Sequence, residues 1–287
     1  MDVIREVVAV RARCDAARAH GHRIALVPTM GALHAGHEAL LDDGRARGDL
    51  LVMSLFVNPL QFGDAADLAA YPRDEAADAT VAERHGVDVL FAPTAEAMYP
   101  SGEPLVTVDP GPLGDRLEGA SRPGHFRGVA TVVAKLLHAV GPCVVVLGEK
   151  DAQQVAVLRA MVADLGFPVE IAVHPTVREA DGLARSSRNA RLTPAQRAAA
   201  PCLFLGLSEA AALARAGERD AARLVAAIAR EVGATSEARL DYAAVVDAST
   251  FEEVRTLAGP ARAVVAATFG SVRLIDTLAV GGAGTAA

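Results

Sequence analysis

The 287-residue chain is poor in cysteine, with only Cys14, Cys143 and Cys202, widely spaced. Three such residues supply neither a disulfide framework nor a Cys-x-x-Cys pair for a metal. Basic charge is also short: the formal net charge is −7. That balance excludes a surface that grips phosphate backbones and confines any bound nucleotide to a local pocket, so no nucleic-acid partner is expected. Long apolar runs are missing too. The most apolar stretch, residues 129–148, is broken by Lys135, His138 and Pro142, and residues 1–22 carry Arg5, Glu6, Arg11, Arg13, Asp15 and Arg18 in an amphipathic helical pattern. Neither a membrane span nor a secretory leader is expected, and the simplest reading is a soluble cytoplasmic protein. Two nucleotide fingerprints are absent: no G-x-G-x-x-G follows the first strand, and there is no G-x-x-x-x-G-K-[ST]. A dinucleotide site of the standard kind and a P-loop are thereby excluded. There is no internal repeat.

Hydrophobic residues make up 52% of the chain and charged ones 22%, enough apolar matter to bury a core and too little charge for a disordered chain. Residues 23–28 (RIALVP), 50–57 (LLVMSLFV) and 87–92 (VDVLFA) read as continuous apolar strands, and 143–147 and 169–173 as further strands. Helical patterns over 36–47, 74–85, 126–140 and 151–165 lie between them. Continuous apolar strands alternating with helices predict a parallel sheet covered on both faces. Beyond about residue 177 the pattern changes to two successive helices, 193–217 and 220–233. Strands follow at 242–248, 261–268 and 272–276 with no helices between them, as in a small α+β domain. The predicted domains are 1–176 and 177–287, with a glycine- and alanine-rich tail over 281–287 that is expected to fray.

Four polar clusters fall where ligands gather in an open α/β sheet, outside the carboxyl ends of the strands. The first follows the first predicted strand: Met30, Gly31, Ala32, Leu33, His34, Ala35, Gly36 and His37. There a helix N-terminus offers free N–H groups, Gly36 admits close backbone approach, and two imidazoles can donate to phosphate oxygens. His-x-x-His is also a possible metal pair, but His34 sits in the turn, and neither the glutamate of H-E-x-x-H nor a third ligand is apparent. Gly148, Glu149, Lys150 and Asp151, with Gln153 and Gln154 behind them, form the second cluster. Lys150 can neutralise phosphate and Asp151 can accept from a ribose, although Asp151 and Gln154 also have the spacing of a helix cap. The third is Arg185, Ser186, Ser187, Arg188 and Asn189, a loop able to fold over a triphosphate. The fourth is Asn58 to Gly63, whose neutral amides suit a hydroxyl-bearing or carboxylate substrate and whose residues equally suit a turn.

PTMGALHAGH, NPLQFG, RPGHFRGV, GEKDAQQ and PTVREADGLARSSRN, in this order across residues 24–192, resemble the pantoate–β-alanine ligase family, within the wider H-x-G-H nucleotidyltransferases. LDYAAVVDASTFEEV extends the likeness more faintly. The resemblance implies a Rossmann-like parallel-sheet domain, a smaller C-terminal α+β lid domain, a homodimer, ATP as substrate, and Mg²⁺ held mainly by the ATP phosphates. It also implies that pantoate and β-alanine are joined through an enzyme-bound pantoyl-adenylate. By the same resemblance His34 and His37 contact the triphosphate, with His37 nearest the α-phosphate. Lys150 and residues Ser186, Ser187 and Arg188 hold phosphates, Gly148 and Asp151 meet the ribose, and Val177 meets the adenine. Gln61 and Gln154 hold pantoate, Met30 packs on it, Asn58 orients the glutamines and Arg122 acts nearby. β-Alanine enters at Gln61. Two positions depart from the family pattern: Arg185 replaces an apolar residue, and Ala35 replaces a common glutamate. The competing readings are an adenylyltransferase for a phosphate-bearing acceptor, a non-catalytic nucleotide-binding module, and a His-x-x-His metallohydrolase.

Overall fold

The computed structural model describes residues 1–63 and 65–281. Contacts divide the chain into two compact units, Met1–Gly148 with Val157–Pro175, and Glu149–Ala156 with Thr176–Ala287.

The first unit is built on a six-stranded parallel sheet. Its strands are β1 (Asp2–Ile4), β2 (Ile24–Thr29), β3 (Leu50–Leu55), β4 (Val89–Phe91), β5 (Cys143–Gly148) and β6 (Val169–His174), in the order β1-β4-β3-β2-β5-β6. Residues Ile24 to Val27, Leu50 to Met53 and Val89 to Phe91 are nearly or wholly buried, as the unbroken apolar runs require of strands covered on both faces. β2 pairs with β3 on one side and β5 on the other, so the strand order reverses at β2 and a crevice opens above the ends of β2 and β5.

Three expectations need correction. Residues 1–22 are not one helix: Asp2–Ile4 forms edge strand β1 beside β4, and the helix runs only Val7–Ala19. Three residues, two of them exposed, carry no alternation to read. The helix over 193–217 is two helices, Pro194–Ala199 and Cys202–Arg215, because Pro201 lacks the N–H that would continue the ladder. Of the tail, Gly281 closes the last strand, and residues 282–287 lie outside the described residues.

The second unit packs the helices Cys202–Arg215 and Ala221–Gly233 against an antiparallel sheet of β7 (Ala238–Asp247), β8 (Ala261–Phe269) and β9 (Val272–Gly281). Leu203, Leu207, Leu224, Ile228, Val265 and Phe269 fill its core. The run Pro194–Arg215 has the length and hydropathy of a membrane span. Its apolar face, however, lies in that core through Leu203, Leu207, Ala210, Ala211 and Ala214.

In the first unit, helix Glu75–Arg84 is clamped to helix Ala35–Arg47 by His85, whose Nδ1 lies 2.6 Å from Asp42 and Nε2 3.0 Å from Glu38. The hydrogen bond to Asp42, helped by Glu38, raises the His85 pKa against the opposing effect of burial. A histidine that holds its proton more tightly when folded contributes fully below its unfolded value, about 6.5, and loses that contribution as pH rises through the raised folded value. Urea titrations across this range should therefore show stability falling as pH rises from about 6.5. The fall should be shallower in His85→Gln, and identical profiles would rule out the charged clamp.

Candidate active site

The turn after β2 has little conformational choice. Gly31 takes φ +86°, and an added Cβ would meet Asp78 Oδ2 at 2.6 Å and Leu55 Cδ1 at 2.8 Å. Ala32 follows with φ 53°, unusual for a residue bearing a Cβ. Asp78, buried on the helix Glu75–Arg84, braces this pair of left-handed residues: its carboxylate accepts from Ala32 N–H at 3.0 Å and Leu33 N–H at 2.9 Å. Sequence reading did not find Asp78, which is distant in the chain and looks like any helical acid.

The turn delivers His34 to the N-cap of helix Ala35–Arg47, in extended conformation. Its Nδ1 accepts from Gly36 N–H at 3.1 Å, and His37 Nδ1 accepts from His34 N–H at 3.3 Å. The two rings are 4.2 Å apart between centroids. With both Nδ1 atoms engaged as acceptors, each neutral imidazole carries its proton on Nε2. The pair is thus a set of neutral N–H donors at a helix N-terminus, where the helix dipole also favours an anion.

Beside this turn, Gln61 and Asn58 are buried on a short 3₁₀ turn, Pro59–Gln61. Asn58 Nδ2 donates to Gln61 Oε1 and to Gly128 O, each at 3.1 Å. Gln61 Nε2 donates to the Met30 sulfur at 3.0 Å. The Tyr99 hydroxyl, its pKa raised by burial, donates to Asn58 Oδ1 at 2.8 Å. Helix His125–Val140 reaches the turn at Gly128, where a Cβ would stand 2.3 Å from Leu60 O. His125 Nδ1 lies 3.0 Å from Gln61 O, and its Nε2 lies 3.1 Å from Arg122 Nη1. Because arginine can only donate, His125 accepts at Nε2 and donates from Nδ1 to Gln61 O. Met30, Asn58, Gln61 and Arg122 therefore form one connected group, which Tyr99 and His125, missed in the sequence, hold together. A cavity of about 370 Å³ opens beside it, lined by Met30, Phe56, Val57, Pro59, Leu68 and Arg73 among others. Gly148 ends β5, the neighbour of β2 at the switch point.

The other candidates lie in the second unit. Glu149, Lys150 and Asp151 form a 3₁₀ turn ahead of helix Ala152–Asp164, with Lys150 Nζ 3.6 Å from Asp151 Oδ1. Gln153, not Gln154, is the buried glutamine of that helix start; Gln154 is half-buried. Val177 and Arg185 meet at the mouth of a hairpin, with Arg185 N–H donating to Val177 O at 2.9 Å and an Arg178–Ala184 bridge inside it. Arg185 pairs with Glu179 at 3.1 Å. Ser186 caps the 3₁₀ turn Ser187–Arg191 by accepting from Arg188 N–H at 3.3 Å. Among the described residues, Thr176 Oγ1, Arg185 Nε and Asn189 Oδ1 are buried polar atoms lacking a hydrogen-bond partner, a costly condition for a segment with no ligand.

The fold and its first loop define a class: a Rossmann-like α/β protein with an H-x-G-H histidine pair at the switch point of its sheet. A profile of the pantoate–β-alanine ligase family matches residues 2–279. The pantothenate synthetase of Syntrophotalea carbinolica is 49% identical over 276 residues, covering 96% of this chain and 97% of that protein. That of Acidothermus cellulolyticus is 52% identical over 259 residues, 89% of this chain and 84% of that one. The crystal structure of pantothenate synthetase from Thermus thermophilus superposes with a TM-score of 0.90 at 45% identity, over 98% of this chain and 100% of that one. The pantoate–β-alanine ligase of Francisella tularensis, crystallised with β-γ ATP and β-alanine, gives 0.78 at 32% identity over 97% of both chains. The chain belongs to the pantoate–β-alanine ligase family, the pantothenate synthetases.

Removing the Asp78 carboxylate would orphan the Ala32 and Leu33 N–H groups, at roughly 1–3 kcal/mol each. Asp78→Ala should lower the urea midpoint markedly, and Asp78→Asn, which keeps one acceptor oxygen, should lower it less. Equal midpoints for all three proteins would mean that the left-handed turn stands without its brace.

Proposed function

We infer that the chain joins pantoate to β-alanine with consumption of ATP, in two half-reactions at the crevice above β2 and β5. The observation that carries this reading is the histidine pair locked as Nε2–H donors by the helix cap. In the first half-reaction a pantoate carboxylate oxygen attacks the α-phosphorus of ATP, and pyrophosphate leaves with the electrons of the broken P–O bond. His37 donates to the α-phosphate as charge builds there, and His34 donates to the neighbouring phosphates. Lys150 and Arg188 offset charge on the leaving group. The chain mainly positions and neutralises, since little covalent chemistry is asked of it. In the second half-reaction the free amine of β-alanine attacks the acyl carbon, AMP leaves, and the amine gives up a proton.

Gln61 is suited to pantoate because Asn58 fixes its carbonyl and leaves the amide nitrogen facing Met30. Gln154 is proposed as its partner, with Arg122 acting nearby; β-alanine enters beside Gln61. The neutral amides favour an unphosphorylated acid over a phosphate-bearing acceptor, which would call for more cations. On the nucleotide, Gly148 and Asp151 are assigned to the ribose, Val177 to the adenine, and Arg185, Ser186 and Ser187 to the phosphates along with Arg188. A bound nucleotide would also supply partners for the three buried atoms Thr176 Oγ1, Arg185 Nε and Asn189 Oδ1.

Mg²⁺ would enter with ATP, its charge opposing that of the phosphates. Among the described residues no three His, Cys, Asp or Glu side chains form a metal cluster, so phosphate oxygens are assigned as its main ligands. We further propose that residues 1–176 bind ATP and pantoate, that residues 177–287 act as the lid, and that the protein works as a cytoplasmic homodimer. Leu105 and Val106, almost wholly exposed apolar neighbours, support a surface that a second copy covers.

Exchange of labelled pyrophosphate into ATP, with Mg²⁺ and before β-alanine is added, tests the first half-reaction. Exchange that depends on pantoate is expected; its absence alongside tight ATP binding would leave a silent binding module or another acceptor. In the same assay His37→Ala should lose roughly 10²–10³ in rate. Near-normal exchange would remove His37 from its role.

A further inference from the structure

Two of the segments assigned to the nucleotide, the 3₁₀ turn Glu149–Asp151 and the hairpin mouth at Val177 and Arg185, are far apart in the chain. Within the second unit they are joined by side chains from β8 and β9. Glu149 Oε1 accepts from Arg262 Nη2 at 2.8 Å. Arg262 Nε donates to Thr277 Oγ1 at 3.1 Å, and that hydroxyl in turn donates to Ala263 O at 3.0 Å. Asp276, next to Thr277 and buried, receives the Thr277 N–H at 2.7 Å and Arg178 in a two-pronged pair at 2.6 and 3.0 Å. Arg178 also donates to Thr277 O and to Gly182 O, and its guanidinium lies 4.2 Å from the Phe204 ring centroid. Arg178 directly follows Val177 and so roots the hairpin whose mouth is closed by Arg185.

Buried ion pairs are a poor means of stabilising a protein, because desolvating two charges offsets most of their attraction. Burial pushes the Asp276 carboxyl upward, while Arg178, the Thr277 N–H and Lys150 oppose it. Keeping such a group has a clearer purpose when it fixes geometry. A fork of guanidinium N–H groups on a carboxylate sets both distance and angle, which a packed leucine cannot do.

We propose that the chain Glu149–Arg262–Thr277–Asp276–Arg178 is a positioning network that holds the Lys150 turn and the Val177–Arg185 hairpin in the register needed for ATP. In this role its members act on the nucleotide through the turn and the hairpin, not by contact. The proposal rests on the assignment of Lys150, Val177 and residues 185–188 to ATP. It reassigns Glu149 from ligand contact to anchor.

The test is a double-mutant cycle in the pyrophosphate exchange assay with Glu149→Gln, Arg262→Gln and the two together. Each single change should raise KM for ATP by roughly fivefold to tenfold, the worth of about one net hydrogen bond. KM for pantoate should stay within about twofold, and the double variant should be no worse than the weaker single, since both cut one link. Effects that multiply, an unchanged KM for ATP, or equal shifts in both KM values would overturn the network. At its other end Arg178→Lys keeps the charge and loses the fork, and the same selective rise is expected. Should that protein not fold, Arg178→Met combined with Asp276→Leu removes both charges without orphaning either. The expected result is restored thermal stability with KM for ATP still raised; recovery of both would make the pair merely structural. If the unaltered enzyme shows no pantoate-dependent exchange, the ligase reading fails by itself, and calorimetric titration of ATP into the same variants reads the network directly.

Discussion

The pairing of β2 with β3 on one side and β5 on the other governs the geometry of the first unit. A parallel strand must leave the sheet at its carboxyl end and return over a face, so the chain departs from β2 at the one place where neighbouring connections turn opposite ways. The helix that begins there is capped by the two histidines, which brings both imidazoles to that strand end. The departure falls just ahead of Gly31 and the histidines.

Holding the departure in place requires buried polar groups, and the chain uses acids and amides that never look catalytic. Asp78 receives two N–H groups from a turn with consecutive positive φ values. Asn58 is saturated by Tyr99, Leu60, Gln61 and Gly128. In the second unit Asp276 and Arg262 serve the same kind of purpose on different strands. In each case a buried or half-buried group satisfies backbone or a neighbouring side chain and thereby fixes the geometry around it. Polar satisfaction and preorganisation are the same interactions seen from two sides.

This division explains what could be read from the amino acids. β2 to β5 were legible because their apolar runs lie buried in the sheet, whereas β6, a mostly half-buried edge interrupted by Glu170, was legible only as the next step of the strand–helix alternation. The site clusters were legible because strand ends mark the crevice. β1 was not, being a three-residue edge whose pairing with β4 depends on a partner 87 residues later. The histidines were placed correctly at the turn, but their mutual cap was not foreseen, because histidine is not a common N-cap residue. Asp78, Tyr99, His125 and Asp276 act through tertiary contacts with distant segments, and no local period or spacing encodes those. Their signal was at most a polar residue in an otherwise apolar neighbourhood, as in the LID of Leu274 to Asp276.

The cap also bears on what the histidine pair can do. Had the imidazoles been free to choose, His-x-x-His could present two Nε2 lone pairs to a metal. In this chain both Nδ1 lone pairs are engaged by backbone N–H groups of the helix start. Moving the ring proton to Nδ1, as ligation through Nε2 requires, would set donor against donor and open the first turn. The cap therefore holds each ring proton on Nε2, the atom that the proposed ligase reading directs at phosphate.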